Sequence, residues 1–186
     1  NGISEVKNPS EFFISCRDEK NIGSIITPIF EGSRVFLYEV QSLIGTPNFG
    51  MPRRTVEGYD RNRVEILSAV LSRHLQVDVN SKDIYINIPG GIDLNDRSSD
   101  LAVIFSLVSS INKIPISQKI AAIGELGLRG EVRKVSFIKN RVNELEKLGF
   151  SGVYLPTSNK SDLKNEKFKI KLNYISNISE LVERIK

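Results

Sequence analysis

The chain has 186 residues, 40% of them hydrophobic and 26% charged, with a formal net charge of +4. That suffices for one domain with its own core, and the mild positive excess permits nucleic-acid binding without demonstrating it. A single cysteine, Cys16, and a single histidine, His74, exclude an internal disulfide and an ordinary zinc site, so no metal is expected and the cytoplasm is the expected compartment; no apolar run approaches the roughly 20 residues that cross a bilayer, so no membrane partner is expected.

Residues 1–22 are mixed and polar around "EFFIS" and read as a lead-in helix or linker. No secretory leader pattern opens the chain, and its first residues read like the interior of a longer protein. "GSIITPIFEGSRVFLYEVQSLIG" gives two β-rich runs around "EGSR", a hairpin. "GTPNFGMPRR" is loop. "YDRNRVEILSAVLSRHLQV" is a helix with Asp60 or Asn62 as cap and Val64, Leu67, Leu71 and Leu75 at helical spacing. "DIYINIPGG" is a strand ending in a glycine turn, and "SSDLAVIFSLVSSINK" a helix with little polar face, hence largely buried. "KIAAIGELGLRGEVRKV" reads as strand, turn, strand, followed by the helix "SFIKNRVNELEKLG", closed by Gly149. "GVYLP" is a strand, "KSDLKNEK" a loop, "FKIKLNYI" a strand whose lysines guard an edge, and "NISELVERIK" a closing helix with a capping-box spacing from Asn177 to Glu180. This order predicts an α+β fold, a mixed sheet with helices packed on one or both faces.

The glycines of "GELGLRGEV" are not a phosphate-cradling loop. The serious catalytic candidate is a Ser–Lys dyad. Such a dyad needs a hydroxyl and a desolvated amine in hydrogen-bond reach. Ser98 and Ser99 stand where a helix begins, and amides there can support an oxyanion. The plainer role for either serine is a helix cap or a place in the first turn. Lys139 and Arg141 flank the apolar stripe of the helix after "SF". Arginine stays protonated and cannot serve as base. His74 lies in an apolar helical pattern, which suits packing or surface better than catalysis. A second constellation is basic: Arg53, Arg54, Arg61, Arg63, Arg129, Arg133, Lys134 and Arg141, in loops and at helix starts. Guanidinium forks suit phosphate contacts, and a solvated surface with scattered ion pairs is the alternative.

Four stretches, "NFGMPRRTVEGYDRNRVEILSAVL", "IGELGLRGEVRKV", "KNRVNELEKLGFSGVYLPTSN" and "SEVKNPSEFF", together resemble the C-terminal, Lon-like domain of the bacterial RadA (Sms) DNA-repair family. The resemblance covers nearly the whole chain. It implies the Lon proteolytic-domain fold, related to the second domain of ribosomal protein S5, over 23–186, with 1–22 joining it to an ATPase core. It implies a role in recombinational repair after DNA damage, a hexameric ring, and a longer protein that is a DNA-dependent ATPase. ATP, magnesium and zinc would then belong outside this chain, which needs no cofactor of its own, and a recombinase is a further partner the resemblance admits.

Lon proteases carry their nucleophile in G-P-S-A-G, which "RSSDL" matches with Ser99 at the nucleophile and both glycines gone. Their L-K-E-K, whose second lysine is catalytic, corresponds to "IKNR", with Arg141 at the base and Lys139 at the first, non-catalytic lysine. The resemblance therefore implies a non-proteolytic domain that scaffolds a ring and binds single- or double-stranded DNA without regard to sequence. The alternative is a Ser–Lys peptidase using Ser99 and Lys139. An RNA-binding module is a third reading, on fold analogy alone.

Overall fold

Strand β1 (Ser24–Glu31) sends Ile25 and Ile29 into one core and Ile26 into another. This is the two-residue period of a strand buried on both faces. It turns through Gly32 and Ser33 into β2 (Arg34–Gly45), antiparallel, with Glu31 opposite Arg34 and Ser24 opposite Gln41. The computed structural model describes residues 21–47 and 50–181. The segment expected to lead in over 1–20, and the end of the expected closing helix at 182–186, lie outside the described residues.

The remaining elements are β3 (Arg54–Glu57), α1 (Arg61–Leu75), β4 (Asp83–Asn87), α2 (Asp100–Asn112), β5 (Ile120–Ala122), β6 (Glu125–Leu126), β7 (Val132–Arg133), α3 (Ile138–Lys147), β8 (Gly152–Pro156) and β9 (Lys171–Ile175). Seven strands form one mixed sheet in the order β3-β4-β2-β1-β5-β8-β9, while β6 and β7 form a separate antiparallel pair. Pairing is antiparallel between β1 and β2 and between β2 and β4, and parallel elsewhere in the large sheet. Helices α1 and α2 fill one face through Val64, Leu67, Leu71 and the run Leu101–Val108. Helix α3 covers the other through Ile138, Val142 and Leu145. The expected α+β sandwich has helices on both faces.

Three details differ from the sequence reading. Arg54 opens a strand that the Pro- and Gly-marked loop conceals, because β3 has only four residues and takes its place by pairing with β4, Arg54 opposite Ile84. Residues Thr157–Leu163 form a 3-10 helix that runs into the stretch read as loop, and β9 starts at Lys171, later than the pattern suggests. Other local signals act as read. The Asp60 carboxylate accepts from the Arg63 amide and caps α1. Gly149, at φ 76°, closes α3 in a Schellman turn: its N–H donates to Glu146 O at 3.0 Å and the Phe150 N–H to Leu145 O at 3.0 Å.

Helix α2 is buried through three of its turns, yet its first residue is a carboxylate. Asp100 is fully buried. Its oxygens accept from the Tyr59 hydroxyl at 2.6 Å, from Arg63 Nε at 3.0 Å, from Arg63 Nη2 and from the Leu126 amide at 3.0 Å. Arg63 Nη2 also donates to Leu126 O at 2.6 Å. Burial, then the adjacent Asp100 charge, pushes the Tyr59 phenol far above its usual range, so it stays a donor. One satisfied carboxylate thus ties α1, α2 and β6 together. Removing a partner strands the other charge, at about 3–5 kcal/mol for a buried pair. Asp100→Ala is expected to lower the free energy of urea unfolding by about that amount. The Asp100→Ala/Arg63→Ala double variant should lose clearly less than the sum of the two singles.

Candidate functional site

The segment entering α2 brings the serine region against the start of α3. Residues Arg97–Ser99 form a 3-10 turn, capped by Asp96, whose Oδ1 accepts from the Ser98 amide at 2.9 Å. Gly124 is the close-approach point: its N–H donates to Ser98 O at 2.7 Å and its carbonyl accepts from the Leu101 amide at 2.9 Å. A Cβ there would meet Val132 Cγ1 at 2.6 Å, so only glycine lets β5 dock on this turn.

Arg141 projects from the first turn of α3 into this junction and is 3% exposed. Nη1 donates to Pro28 O at 2.6 Å and to Ser98 Oγ at 2.7 Å, Nη2 to Asp96 Oδ2 at 2.7 Å, and Nε to Ser136 O at 3.1 Å. The serine it meets is Ser98. Ser99, at the expected nucleophile position, is fully buried and donates to Asp96 O at 2.6 Å. Neither serine caps α2 with its side chain: Ser98 Oγ accepts from Arg141, and the cap of the 3-10 turn is Asp96. Lys139 lies on the exposed flank of α3, paired with Glu166 at 2.6 Å. So Ser99 and Lys139 do not come together as a dyad. The junction holds an oriented serine and a permanent cation, and its carboxylate, Asp96, is held by Arg141 and the Ser98 amide.

The basic residues divide into three sets. Arg53, Arg54 and Arg61 line one cleft of about 520 Å³ with Pro52, Thr55, Glu65 and Asn80. Arg54 is anchored there, donating to Lys82 O at 2.6 Å and Val79 O at 3.0 Å. Arg61 is 68% exposed, with only a 3.9 Å approach to Glu65. Arg129 and Arg133 share Glu131, at 3.9 Å and 3.1 Å, and Lys134 pairs with Asp162 at 2.8 Å, all at the surface. Arg63 and Arg141 are turned inward onto Asp100 and Asp96. Neither guanidinium is presented to a ligand outside the protein, because a cation at a helix's buried end meets the nearest carboxylate before it meets solvent.

Asp96, Asp100 and Tyr59 carry no motif that would have identified them. Their partners are 37 to 45 residues distant in sequence, and a charge pair of that separation leaves no periodic trace. His74 sets its Nε2 3.1 Å from Leu128 O, beside the β6–β7 turn, a packing position. Among the described residues no group of three or more His, Cys, Asp or Glu is placed to hold a metal ion, and no helix is long and apolar enough to cross a membrane.

Residues 63–185 match the family model of the Lon protease (S16) C-terminal proteolytic domain. Among curated proteins, the DNA repair protein RadA of Bacillus subtilis (strain 168) is 43% identical over 158 residues, 85% of this chain and 34% of the relative. The RadA of Haemophilus influenzae is 38% identical over 159 residues, 86% of this chain and 35% of the relative. The chain thus spans about a third of the length of the curated relatives it matches.

The Arg141–Asp96 pair should be legible in pH dependence. Burial works to raise the Asp96 carboxyl, but the Arg141 fork, the Ser98 amide and the Arg141 charge outweigh it and hold it below the usual carboxylate range. A depressed folded value means stability that is complete above the unfolded value, about 3.9, and lost as pH falls from there through the folded value. Wild type is therefore expected to exceed Asp96→Asn in urea-unfolding free energy near neutrality. That gap should close as pH falls below about 4. Arg141→Ala should be destabilised at neutral pH by up to about 3–5 kcal/mol, since it leaves Ser98 Oγ without its donor and Asp96 without its cation.

Proposed function

The chain belongs to the Lon protease (S16) C-terminal proteolytic domain family, and we propose that this member has lost peptidase chemistry and serves DNA repair as a sequence-independent DNA-binding surface and assembly scaffold. Loss of peptidase chemistry is supported by Arg141, which fills the place expected of a lysine base and remains charged. The repair role is supported by relatives named DNA repair protein RadA.

The observation that carries DNA binding is the convergence of Arg53, Arg54 and Arg61 on one open cleft. Arginine forks match phosphate oxygens, and phosphate contacts carry no sequence information. One such cleft touches few phosphates and binds weakly. A ring that repeats it gains affinity through effective concentration. A closed ring uses head-to-tail contacts between two different surfaces of each subunit, and a hexamer is the assembly the resemblance supports. ATP, magnesium and zinc, together with any recombinase, would engage other parts of a longer protein, in the cytoplasm.

Two measurements test this. Incubation with an unfolded protein and with short peptides is expected to give no cleavage; cleavage that Ser99→Ala abolishes would restore the peptidase reading. DNA binding should be insensitive to sequence and should fall steeply with salt. Replacing Arg53 and Arg61 together with alanine should weaken binding to every sequence. For each phosphate that the variant no longer neutralises, the log–log salt slope should flatten by about 0.9 on duplex and about 0.7 on single strands. An unchanged slope in that variant would leave the chain a scaffold alone.

A further inference from the structure

Beside the Arg141 junction lies a second cleft, of about 310 Å³, whose lining includes Phe30, Arg97, Glu125, Lys134, Phe137 and Arg141. Its most exposed apolar group is Phe137, which precedes α3 and is 56% exposed. The Phe137 backbone is left-handed, at φ 56°, a conformation that bulky side chains rarely adopt. One face of its ring lies on Phe30, with centroids 4.1 Å apart and planes 12° from parallel. The two rings make a slab at the mouth of the cleft, backed on one side and open to solvent on the other. Arg97, exposed and without an ion pair among the described residues, also lines the cleft. The Asp96 carboxylate within it is already neutralised by Arg141.

We infer that the outer face of Phe137 is a stacking platform for an unpaired base of single-stranded DNA, with Arg97 engaging the adjoining phosphate; this rests on the DNA-binding reading above. A ring with one face backed and the other wet suits any flat partner, and every base has such a face. Duplex bases already have both faces covered by their neighbours, so only an unpaired base can enter. The chain should prefer single strands over duplex.

The test uses the 186-residue chain with three fluorescein-labelled probes of equal length: oligo(dT), an abasic oligonucleotide and a duplex. Phe137→Leu keeps an apolar side chain and removes the aromatic face; circular dichroism checks its fold. It is expected to lose at least about 5-fold in affinity for oligo(dT), the low end for one base–aromatic stack. Affinity for the abasic probe and the duplex should not change. Phe137→Trp should restore oligo(dT) binding. A 2-aminopurine placed in a single strand should be quenched on binding wild type and not Phe137→Leu. Arg97→Gln should weaken oligo(dT) and abasic probe alike. If Phe137→Leu binds oligo(dT) like wild type while the Arg53/Arg61 variant is impaired, stacking is overturned and the DNA-binding reading stands. If wild type binds none of the probes, that reading fails and takes this inference with it. If an unstructured peptide, and not oligo(dT), binds in a Phe137-dependent way, the cleft is a peptide groove and the inference is wrong.

Discussion

A buried helix that begins with a carboxylate must obtain cations from elsewhere in the chain, and the segment around the start of α2 obtains two. Arg63, from α1, closes on Asp100, and Arg141, from α3, closes on Asp96. These two pairs join the helices on opposite faces of the sheet to one short turn, Arg97–Ser99. Most remaining oxygens and N–H groups there are also matched, by Tyr59, Leu126, Pro28, Ser136 and Gly124. Satisfied in this way the junction fixes one arrangement. With any member missing, a buried charge is left unpaired.

That constraint decides what this junction holds. The Arg141 guanidinium fills it, and its donors are divided among a serine, an aspartate and two carbonyls. The side chain has become part of the core, while the cleft beside it remains open, rimmed by Phe137, Lys134 and Arg97. The junction is filled, yet a concavity remains beside it. The concavity comes from how the sheet and helices meet, and the chemistry comes from a few side chains.

The same geometry sorts the arginines. Position along the sequence does not distinguish Arg61 from Arg63, two residues apart on one helix. The helical turn does: Arg61 faces solvent and Arg63 faces Asp100. Arg53 and Arg54 are adjacent and line the same cleft. Arg54 reaches back to the carbonyls of Lys82 and Val79. Arg61 stays at the surface, whereas the inward arginines hold the protein together.

Most elements and the family are legible in the residues alone: the β1–β2 hairpin, the buried α2, the Asp60 cap, the Gly149 termination and the Lon-like pattern all act through near neighbours or fixed spacings. So is the arginine of "IKNR" as a residue that cannot act as a base. The four-residue β3 is not, because it is too short for an alternation to register and exists through its pairing with β4. Nor could the residues alone say that Arg141 meets Ser98 rather than Ser99, that Asp96 and Asp100 each claim an arginine, or that Phe137 stacks on Phe30. Those contacts join residues 37 to 107 positions apart. Local propensity and periodicity act over a turn or two, whereas a buried charge or ring finds its partner only where the packed sheet and helices bring it.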